Sequence, residues 1–174
     1  MIERLRIPIL LLVVLGLFFG NGTNGMMSVQ AAAKPKERIQ IPSIGLDLQI
    51  VVARFRRGTW NFNRILRQAA YLDMRPLPGQ GNNAVIGAHS ELARRRPGPF
   101  YKLGQVKPND EIIVTHKGVP YRYVVQSVYL VDPTDLSPIY QTDGEVLTLI
   151  TCDDFNDKTR SYDKRLIVRA TSVL

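Results

Sequence analysis

The sequence has very few of the residues that build covalent or metal-bound frameworks. Its 174 residues include one cysteine, Cys152, and two histidines, His89 and His116. A single thiol excludes an internal disulfide framework, and it excludes zinc and iron–sulfur sites that need several cysteines. Because an unpaired thiol is a liability in an exported protein, Cys152 needs a chemical explanation.

The sequence also lacks the motifs of nucleic-acid-binding proteins, since it has no zinc-finger spacing and no ribonucleoprotein aromatic box. We therefore expect no nucleic-acid partner, although the formal charge is +8, with 23 Lys and Arg against 15 Asp and Glu. The basic residues cluster at Arg54, Arg56 and Arg57, at Arg64 and Arg67, and at Arg94 to Arg96. We interpret these clusters as a solvated face, with attraction to anionic lipid or wall polymer as the alternative.

No continuous apolar run reaches the roughly 20 residues of a bilayer-spanning helix. The run at 7–19 follows Arg4 and Arg6, which is the layout of an export signal. Residues 20–29 carry no charge and extend the run, whereas Ala31 to Ala33 offer a cleavage site. We therefore predict an apolar leader helix at residues 1–30, either a membrane anchor or a cleaved signal peptide. Residues 31–38 are interpreted as a linker, and the body is expected outside the cytoplasm, at the cell membrane or secreted.

The body, residues 39–174, is predicted to be one domain, because 45% apolar and 22% charged residues suffice for one core. Short apolar or alternating stretches between turn residues indicate strands. They lie at Ile39 to Pro42, Leu46 to Ala53, Ala84 to His89, Glu111 to His116, Val119 to Tyr129, Glu145 to Cys152, and Lys164 to Thr171. The strands Glu111 to His116 and Val119 to Tyr129 flank Lys117-Gly118, which predicts a hairpin. In its second strand, Tyr121, Tyr123 and Val125 should share one face.

Helical signals in the body are few. A short helix is predicted at Asn63 to Ala70, and one helical turn at Gly98 to Leu103, packed by Phe100 and Leu103. About seven or eight strands with one or two short helices indicate an all-β fold, a closed antiparallel barrel.

Cys152 and His89 both fall at predicted strand ends. A thiol becomes a nucleophile where a nearby base or cation favours its thiolate, and a single Cys with a distant His is a candidate pair. Taken alone, a cysteine that ends an apolar strand is more often a small core residue.

The surrounding residues resemble the sortase family of cysteine transpeptidases. The segment Leu147-Thr-Leu-Ile-Thr-Cys-Asp-Asp154, then Asp163-Lys-Arg-Leu-Ile-Val168, resembles the signature in which Thr-Cys ends one strand and an Arg begins the next. Upstream, Asn83-Ala-Val-Ile-Gly-Ala-His89 resembles the strand that carries the sortase histidine. The resemblance covers roughly residues 39–174. It departs from the family at Ala88, where a glycine usually precedes the histidine.

The resemblance implies the roles of three residues in a sortase-type barrel. Cys152 would attack a Leu-Pro-x-Thr-Gly-like sorting signal and form a thioacyl enzyme, and an amine of a wall peptide or pilin Lys would take over the acyl group. His89 would act as general acid and base, and Arg165 would stabilise the oxyanion. Some class A sortases bind calcium through acidic residues before the histidine strand, but Tyr71 to Asn83 contains only Asp73. We therefore predict no metal and no cofactor.

For peptide binding, the resemblance points to the loop from Asp132 to Gly144 and the strand beside it. Residues expected to line the groove are Leu136, Pro138, Ile139, Ile150 and Tyr162; the alternative is that they only pack. Trp60 resembles a segment of some sortases outside class A, whereas Thr-Cys-Asp-Asp is class-A-like, so the class stays open.

Several residues compete for these roles. Arg169 shares the strand parity of Arg165, but Arg165 matches the family position. His116 is interpreted as a surface histidine beside a turn, and Asp153 and Asp154 as loop caps. Two other functions are weighed. An L,D-transpeptidase would need a Ser-x-Gly-Cys-type segment, which Thr151-Cys152-Asp153 lacks. A non-catalytic exported binding barrel would carry an incidental, unreactive thiol.

Overall fold

The computed structural model describes residues 36–173, which form an all-β unit. The predicted leader helix and most of the predicted linker lie outside the described residues, so the proposed domain boundaries stay a prediction. Within residues 36–173, no helix is long and apolar enough to span a bilayer.

Strands account for most of the described chain. In sequence order they are β1 (Arg38–Ile41), β2 (Leu46–Ala53), β3 (Phe55–Arg56), β4 (Thr59–Trp60), β5 (Ala69–Leu72), β6 (Asn83–Gly87), β7 (Glu91–Leu92), β8 (Arg96–Pro97), β9 (Glu111–His116), β10 (Val119–Val131), β11 (Val146–Asn156) and β12 (Ser161–Ser172). Short 3-10 helices occur at Pro42–Ile44, Ala93–Arg95, Leu103–Gln105 and Ser137–Ile139.

Eight strands close into a barrel in the order β1-β2-β5-β6-β11-β12-β10-β9, which confirms the predicted closed all-β fold. Closure pairs each of these eight strands on both sides, so the barrel itself has no open edge. β3 with β4, and β7 with β8, form two small separate hairpins. The prediction of a purely antiparallel barrel was wrong at two places, because β2 pairs with β5 and β6 pairs with β11 in parallel.

The barrel interior is filled by every second residue along its strands, the ones whose side chains point inward. On β11, Leu147 and Leu149 point inward and are fully buried, and they join Tyr123 and Val125 of β10 in the main core. Tyr121 packs against the same cluster. The predicted common face of Tyr121, Tyr123 and Val125 is therefore confirmed, as the period-two alternation of a strand requires.

A second apolar cluster lies outside the barrel. Leu72, Val85 and Ile139 are its buried members, and Trp60, Phe62 and Ile150 pack against it. The 132–144 loop and the 54–67 segment thus cover the outer face of β5, β6 and β11. This cluster positions the candidate site.

The predicted helix at Asn63 to Ala70 was wrong. Residues 63–68 form turns, and Ala69 and Ala70 begin β5, where they pair with Ile50 and Val51 of β2. The apolar spacing in this stretch fits a short helix or a strand, and the pairing with β2 favours the strand. The helical turn predicted at Gly98 to Leu103 is present as hydrogen-bonded turns, in which Tyr101 N donates to Gly98 O at 3.2 Å and Leu103 N to Phe100 O at 3.0 Å, and it leads into the 3-10 helix Leu103–Gln105. Phe100 and Leu103 are buried as expected.

Three predicted strand ends lie elsewhere. β6 ends at Gly87, two residues before His89, whereas β11 continues past Cys152 to Asn156. β12 already begins at Ser161, four residues before Arg165. Cross-strand pairing extends both strands, so that only a short turn at 157–160 separates them.

Candidate active site

Cys152 lies on the outer face of β11, with its side chain half-buried and unbonded to another sulfur. Its neighbour Thr151 is buried and points to the opposite side, where Thr151 Oγ1 donates to the carbonyl of Ala88 at 2.8 Å. Burial raises the pKa of the Cys152 thiol, and the positive charge of Arg165 acts against that rise.

Arg165 is the direct partner of Cys152 in the antiparallel β11–β12 ladder. Arg165 Nη1 donates to the carbonyl oxygens of Lys164 at 3.0 Å and of Tyr162 at 3.4 Å. These bonds hold one edge of the guanidinium against its own strand. The register places both side chains on the same face, since paired residues of an antiparallel ladder share a face.

His89 follows β6, whose parallel ladder with β11 ends at the pair Gly87 and Ile150. The backbone continues in that register for one more step, because Ala88 N donates to Ile150 O at 3.3 Å. His89 lies two residues beyond β6, which is the position opposite Cys152 if that register is continued, and both residues line the same cleft. The two strands bring these residues together although 62 positions separate them in the sequence.

The loops around His89 fix its ring and backbone. The ring contacts Phe62 edge-on, with 6.0 Å between the centroids, and His89 Nε2 lies 3.3 Å from Phe62 O. Phe100 N donates to His89 O at 2.9 Å. Within residues 36–173 no hydrogen bond joins the imidazole to the Cys152 thiol. The imidazole is thus held beside the cleft by its neighbours and not by the sulfur.

A cleft of about 380 Å³ opens over these three residues. Its lining is mostly apolar and consists of Gly58, Thr59, Trp60, Phe62, Leu72, Gly87, Ala88, His89, Pro133, Asp135, Leu136, Ile139, Ile150, Thr151, Cys152 and Arg165. A mostly apolar cleft with a few convergent polar groups has the general form of a ligand site.

A second, smaller cleft of about 220 Å³ lies on the other side of Cys152. Ser90, Glu91, Arg95, Phe155 and Tyr162 are among its lining residues. Tyr162 Oη donates to Glu91 Oε2 at 3.1 Å, and burial together with that carboxylate raises the pKa of Tyr162. The sulfur is therefore accessible from two directions.

The residues expected to bind peptide fall into two groups. Leu136, Ile139 and Ile150 line the large cleft together with Cys152. Pro138 is buried behind it, and Tyr162 lines the smaller cleft. Leu136 is the most accessible of the three apolar residues on the large cleft, with 52% of its surface exposed, whereas Ile139 is buried and Ile150 half-buried.

The loop that carries Leu136 and Ile139 is tied to the barrel by buried polar groups. Asn83 Nδ2 donates to the carbonyls of Pro138 at 2.9 Å and Tyr140 at 2.8 Å, and Asn83 Oδ1 accepts from Thr148 Oγ1 at 2.8 Å. Buried amides need such partners, because an unpaired one is costly. The amide of Asn83 therefore positions one wall of the cleft.

The competing residues lie outside the large cleft. Arg169 is on the same face as Arg165, but its Nη1 donates to Pro138 O at 3.2 Å. His116 is not the exposed residue that its turn position suggested, because its side chain is only 12% exposed and its Nδ1 lies 3.0 Å from Glu37 Oε2. Asp153 and Asp154 lie within β11 and not in a loop, and Asp153 Oδ1 accepts from Asp154 N at 2.8 Å.

Sequence reasoning missed two aromatic contributions to the cleft. Phe62 was assigned no role and Trp60 no part in the cleft, but both line it, and Trp60 Nε1 donates to Asp73 O at 2.9 Å. A glycine could have pointed to Phe62, because a Cβ at Gly87 would lie 2.8 Å from the Phe62 ring. In the described chain, no group of three or more His, Cys, Asp or Glu side chains could hold a metal ion.

Comparison with known proteins places these residues in context. The model of the Sortase domain family matches residues 39–173. Sortase A of Staphylococcus aureus (strain NCTC 8325 / PS 47) is 44% identical over 93 residues, which cover 52% of this chain and 45% of that protein. Sortase A of Listeria monocytogenes serovar 1/2a is 30% identical over 124 residues, covering 71% of this chain and 52% of that protein.

The structural comparison agrees with the sequence comparison. The lid mutant of sortase A from Corynebacterium diphtheriae superposes with a TM-score of 0.65 at 29% identity, covering 79% of this chain and 69% of that one. The chain spans about half the length of the curated sortases A that it matches.

Proposed function

Because this chain belongs to the sortase family, we propose that it is a cysteine transpeptidase that cleaves a Leu-Pro-x-Thr-Gly-like sorting signal and transfers the acyl group to an amine. The observation that carries the proposal is the convergence of Cys152 from β11, Arg165 from β12 and His89 from the chain just after β6 on one cleft. Peptide transfer needs a nucleophile, a proton carrier and a hydrogen-bond donor to the oxyanion, all close to the peptide bond that is cleaved.

In the proposed first step, Cys152 Sγ attacks the carbonyl carbon of the Thr residue and its proton passes to His89. The carbonyl oxygen becomes an oxyanion, for which Arg165 supplies a fixed, permanently charged donor. Collapse of this intermediate breaks the peptide bond, and His89 protonates the departing amine. The product is a thioester between Cys152 and the Thr carbonyl.

In the proposed second step, an incoming amine attacks the thioester carbonyl. His89 takes a proton from that amine, and the sulfur of Cys152 leaves as the new amide forms. The two clefts that meet at Cys152 support separate approaches for the acyl donor and the amine. General acid and base catalysis of this kind contributes about 10²–10⁴-fold.

For the sorting signal, Leu136, Ile139 and Ile150 offer the apolar wall that a Leu-Pro pair would need. We assign Pro138 a supporting role behind this wall, because its carbonyl accepts from Asn83 and Arg169. Tyr162 belongs to the side from which the amine would arrive. The amine itself is proposed to be a wall peptide or a pilin lysine.

For location, we propose an extracytoplasmic protein held at the membrane by its N-terminal segment, or secreted if that segment is cleaved. The support is the sequence alone, where Arg4 and Arg6 precede the apolar run at 7–19.

The test is turnover of a peptide library with a panel of amines, read by mass spectrometry. Cys152→Ala is expected to abolish both cleavage and transfer with an unchanged far-UV spectrum, and His89→Ala to reduce both by at least 10²-fold. The control is Ser172→Ala, a strand residue of β12 remote from the large cleft. Full activity of Cys152→Ala would remove the proposal, and slow labelling of the thiol with a pH profile that His89→Ala leaves unchanged would favour a non-catalytic barrel.

A further inference from the structure

The positive charge of the described chain is concentrated in one segment whose arginines have no part in the proposed catalysis. Residues 54–96 carry nine arginines against two acidic residues, Asp73 and Glu91. The rest of residues 36–173 carries 11 basic and 12 acidic side chains. The net positive charge of this unit therefore comes entirely from residues 54–96.

Most of these arginines are free to meet an anionic partner. Eight of the nine are exposed, all except Arg75. Five of them form no side-chain hydrogen bond or ion pair with any residue in 36–173: Arg56, Arg57, Arg64, Arg67 and Arg94. Unpaired like charges on one surface repel each other, and an anionic surface would relieve that repulsion.

Two of the segments that carry these arginines lie side by side, since Arg67 and Arg96 line one open groove together with Leu66 and Leu92. The 54–57 segment, whose Phe55 ring packs 4.9 Å from that of Trp60 in the hairpin β3–β4, is connected to the 64–67 segment by only six residues, 58–63. We call residues 54–57, 64–67 and 94–96 the arginine face.

Large apolar side chains protrude among these charges. Phe55 is 39% exposed and lies between Arg54 and Arg56, and Leu66 is 51% exposed beside Arg67. A soluble polyanion would need only the charges, whereas a bilayer surface accepts cations at its headgroups and apolar side chains just below them. We propose that the arginine face docks onto an anionic bilayer, with Phe55 and Leu66 entering the headgroup region.

Docking in this way would orient the site. Gly58, Thr59 and Trp60 continue from the arginine face into the lining of the large cleft. The mouth of the cleft would therefore lie at the bilayer surface, where a membrane-held substrate arrives. This contact is made by the folded body, and it is separate from any tether supplied by the N-terminal segment.

The single tryptophan of the chain, Trp60, reports the contact without any need for activity. The full chain is reconstituted into vesicles of brominated phosphatidylcholine, either alone or mixed with equal parts of phosphatidylglycerol. Bromine quenches a tryptophan only at short range, so quenching of Trp60 is expected to be strong in the anionic vesicles and weak in the zwitterionic ones. High salt should reduce it, because screening weakens exposed charge attraction.

Matched variants show whether docking depends on the arginine face or only on the net charge of the protein. Each cation near an anionic bilayer strengthens association about fivefold. Arg64→Gln with Arg67→Gln should therefore lower the docked-to-undocked ratio about 30-fold. Leu66→Ser should lower it as well, whereas the control Lys107→Gln with Lys117→Gln, which removes equal charge elsewhere, should leave it unchanged.

Three outcomes would overturn the proposal. The first is equal quenching of Trp60 in both vesicle types, and the second is a loss of docking in the lysine control as large as that in the arginine variant. The third is a change in Trp60 fluorescence on addition of soluble polyphosphate but none on addition of vesicles. The last result would identify a polymer-binding face instead.

Discussion

Cys152 and Arg165 face each other as direct partners across the β11–β12 ladder, on the outer side of the barrel. Opposed residues of an antiparallel pair have Cβ atoms about 4.5–5.5 Å apart. The backbone register therefore holds the guanidinium beside the sulfur, and no loop movement is needed to bring them together. This arrangement makes the thiol sensitive to the charge at position 165.

Replacing Arg165 should make the thiol harder to ionise. Burial raises the pKa of Cys152, and the Arg165 charge partly offsets the rise. In Arg165→Gln the pKa of Cys152 should rise further, so that the pH midpoint of iodoacetamide labelling moves upward. The loss of an oxyanion donor should also reduce kcat/KM by about 10²–10³-fold.

The matched control is Arg169→Gln, which removes the same charge from the same face but loses a hydrogen bond to Pro138 O. Its labelling midpoint should stay close to that of the unaltered protein. An equal shift in both variants would mean that the general field of the face, and not the ladder partner, sets the thiol pKa.

Gly98 is expected to be essential for the position of His89. A Cβ at residue 98 would lie 2.4 Å from His89 O, the atom that accepts the hydrogen bond from Phe100 N. Gly98→Ala must therefore displace this backbone, at a cost of about 1–3 kcal/mol of stability. We expect a lower Tm and, well below that Tm, a lower kcat/KM for peptide cleavage.

Gly144→Ala provides the comparison, because a Cβ there meets no atom within 4 Å. It should leave both Tm and kcat/KM nearly unchanged. If Gly98→Ala behaved in the same way, the contact with His89 would have no part in positioning the imidazole.

Asn83→Ala should loosen one wall of the cleft without changing the thiol. The substitution removes the amide donor of the Tyr140 carbonyl and one donor of the Pro138 carbonyl, which keeps its hydrogen bond from Arg169. Leaving the Tyr140 carbonyl unpaired costs about 1–3 kcal/mol, so the 132–144 loop should become more mobile. We expect KM for peptide to rise while the rate of Cys152 alkylation stays the same.

The exposed Gln141 in the same loop supplies the control, since Gln141→Ala removes no buried partner. Steady-state kinetics and alkylation rates should be measured side by side. A fall in kcat with an unchanged KM would contradict a role for Asn83 in holding the binding wall.

Tyr123 should make the barrel sensitive to alkaline pH. Burial, and then the hydrogen bond of 2.6 Å to Glu145, raise its pKa far above the usual value of about 10. The unfolded chain releases this proton near pH 10 while the folded chain keeps it, so stability is complete below pH 10 and falls above it. The slope contributed by this group is about 1.4 kcal/mol per pH unit.

Urea unfolding at pH 8 and at pH 11 tests this expectation. Tyr123→Phe should be less stable at pH 8, because it lacks the hydrogen bond, and should lose less stability on going to pH 11. Tyr140→Phe, at an exposed position, should keep the full alkaline loss. An unchanged pH dependence in Tyr123→Phe would show that this hydroxyl does not titrate differently in the two states.

Side-chain alternation was enough to predict strands such as β10, because burial on one face follows directly from a period of two. It was not enough at Ala69 and Ala70, where the deciding interaction is a ladder with β2, some 19 residues earlier. The parallel pairing of β6 with β11 was equally inaccessible. Periodicity reports which face is buried, and it does not report which strand lies beside it.

The site was predictable where residue type carries chemistry, as at the single cysteine and at His89. The structure placed Leu136, Ile139 and Ile150 around the same cleft. Phe62 was missed because an aromatic residue in a turn region carries no periodic signal. Its role depends on the bare backbone of Gly87, against which its ring packs.

The parallel ladder between β6 and β11 has a practical consequence for protein engineering. His89 precedes the Lys117–Gly118 turn, whereas Cys152 and Arg165 follow it. A chain divided at this turn would yield two pieces, each with only part of the proposed catalytic set. Reassociation along β6–β11 and β9–β10 would reunite the proposed set, so the barrel offers a design for a split reporter that responds when two fused proteins meet.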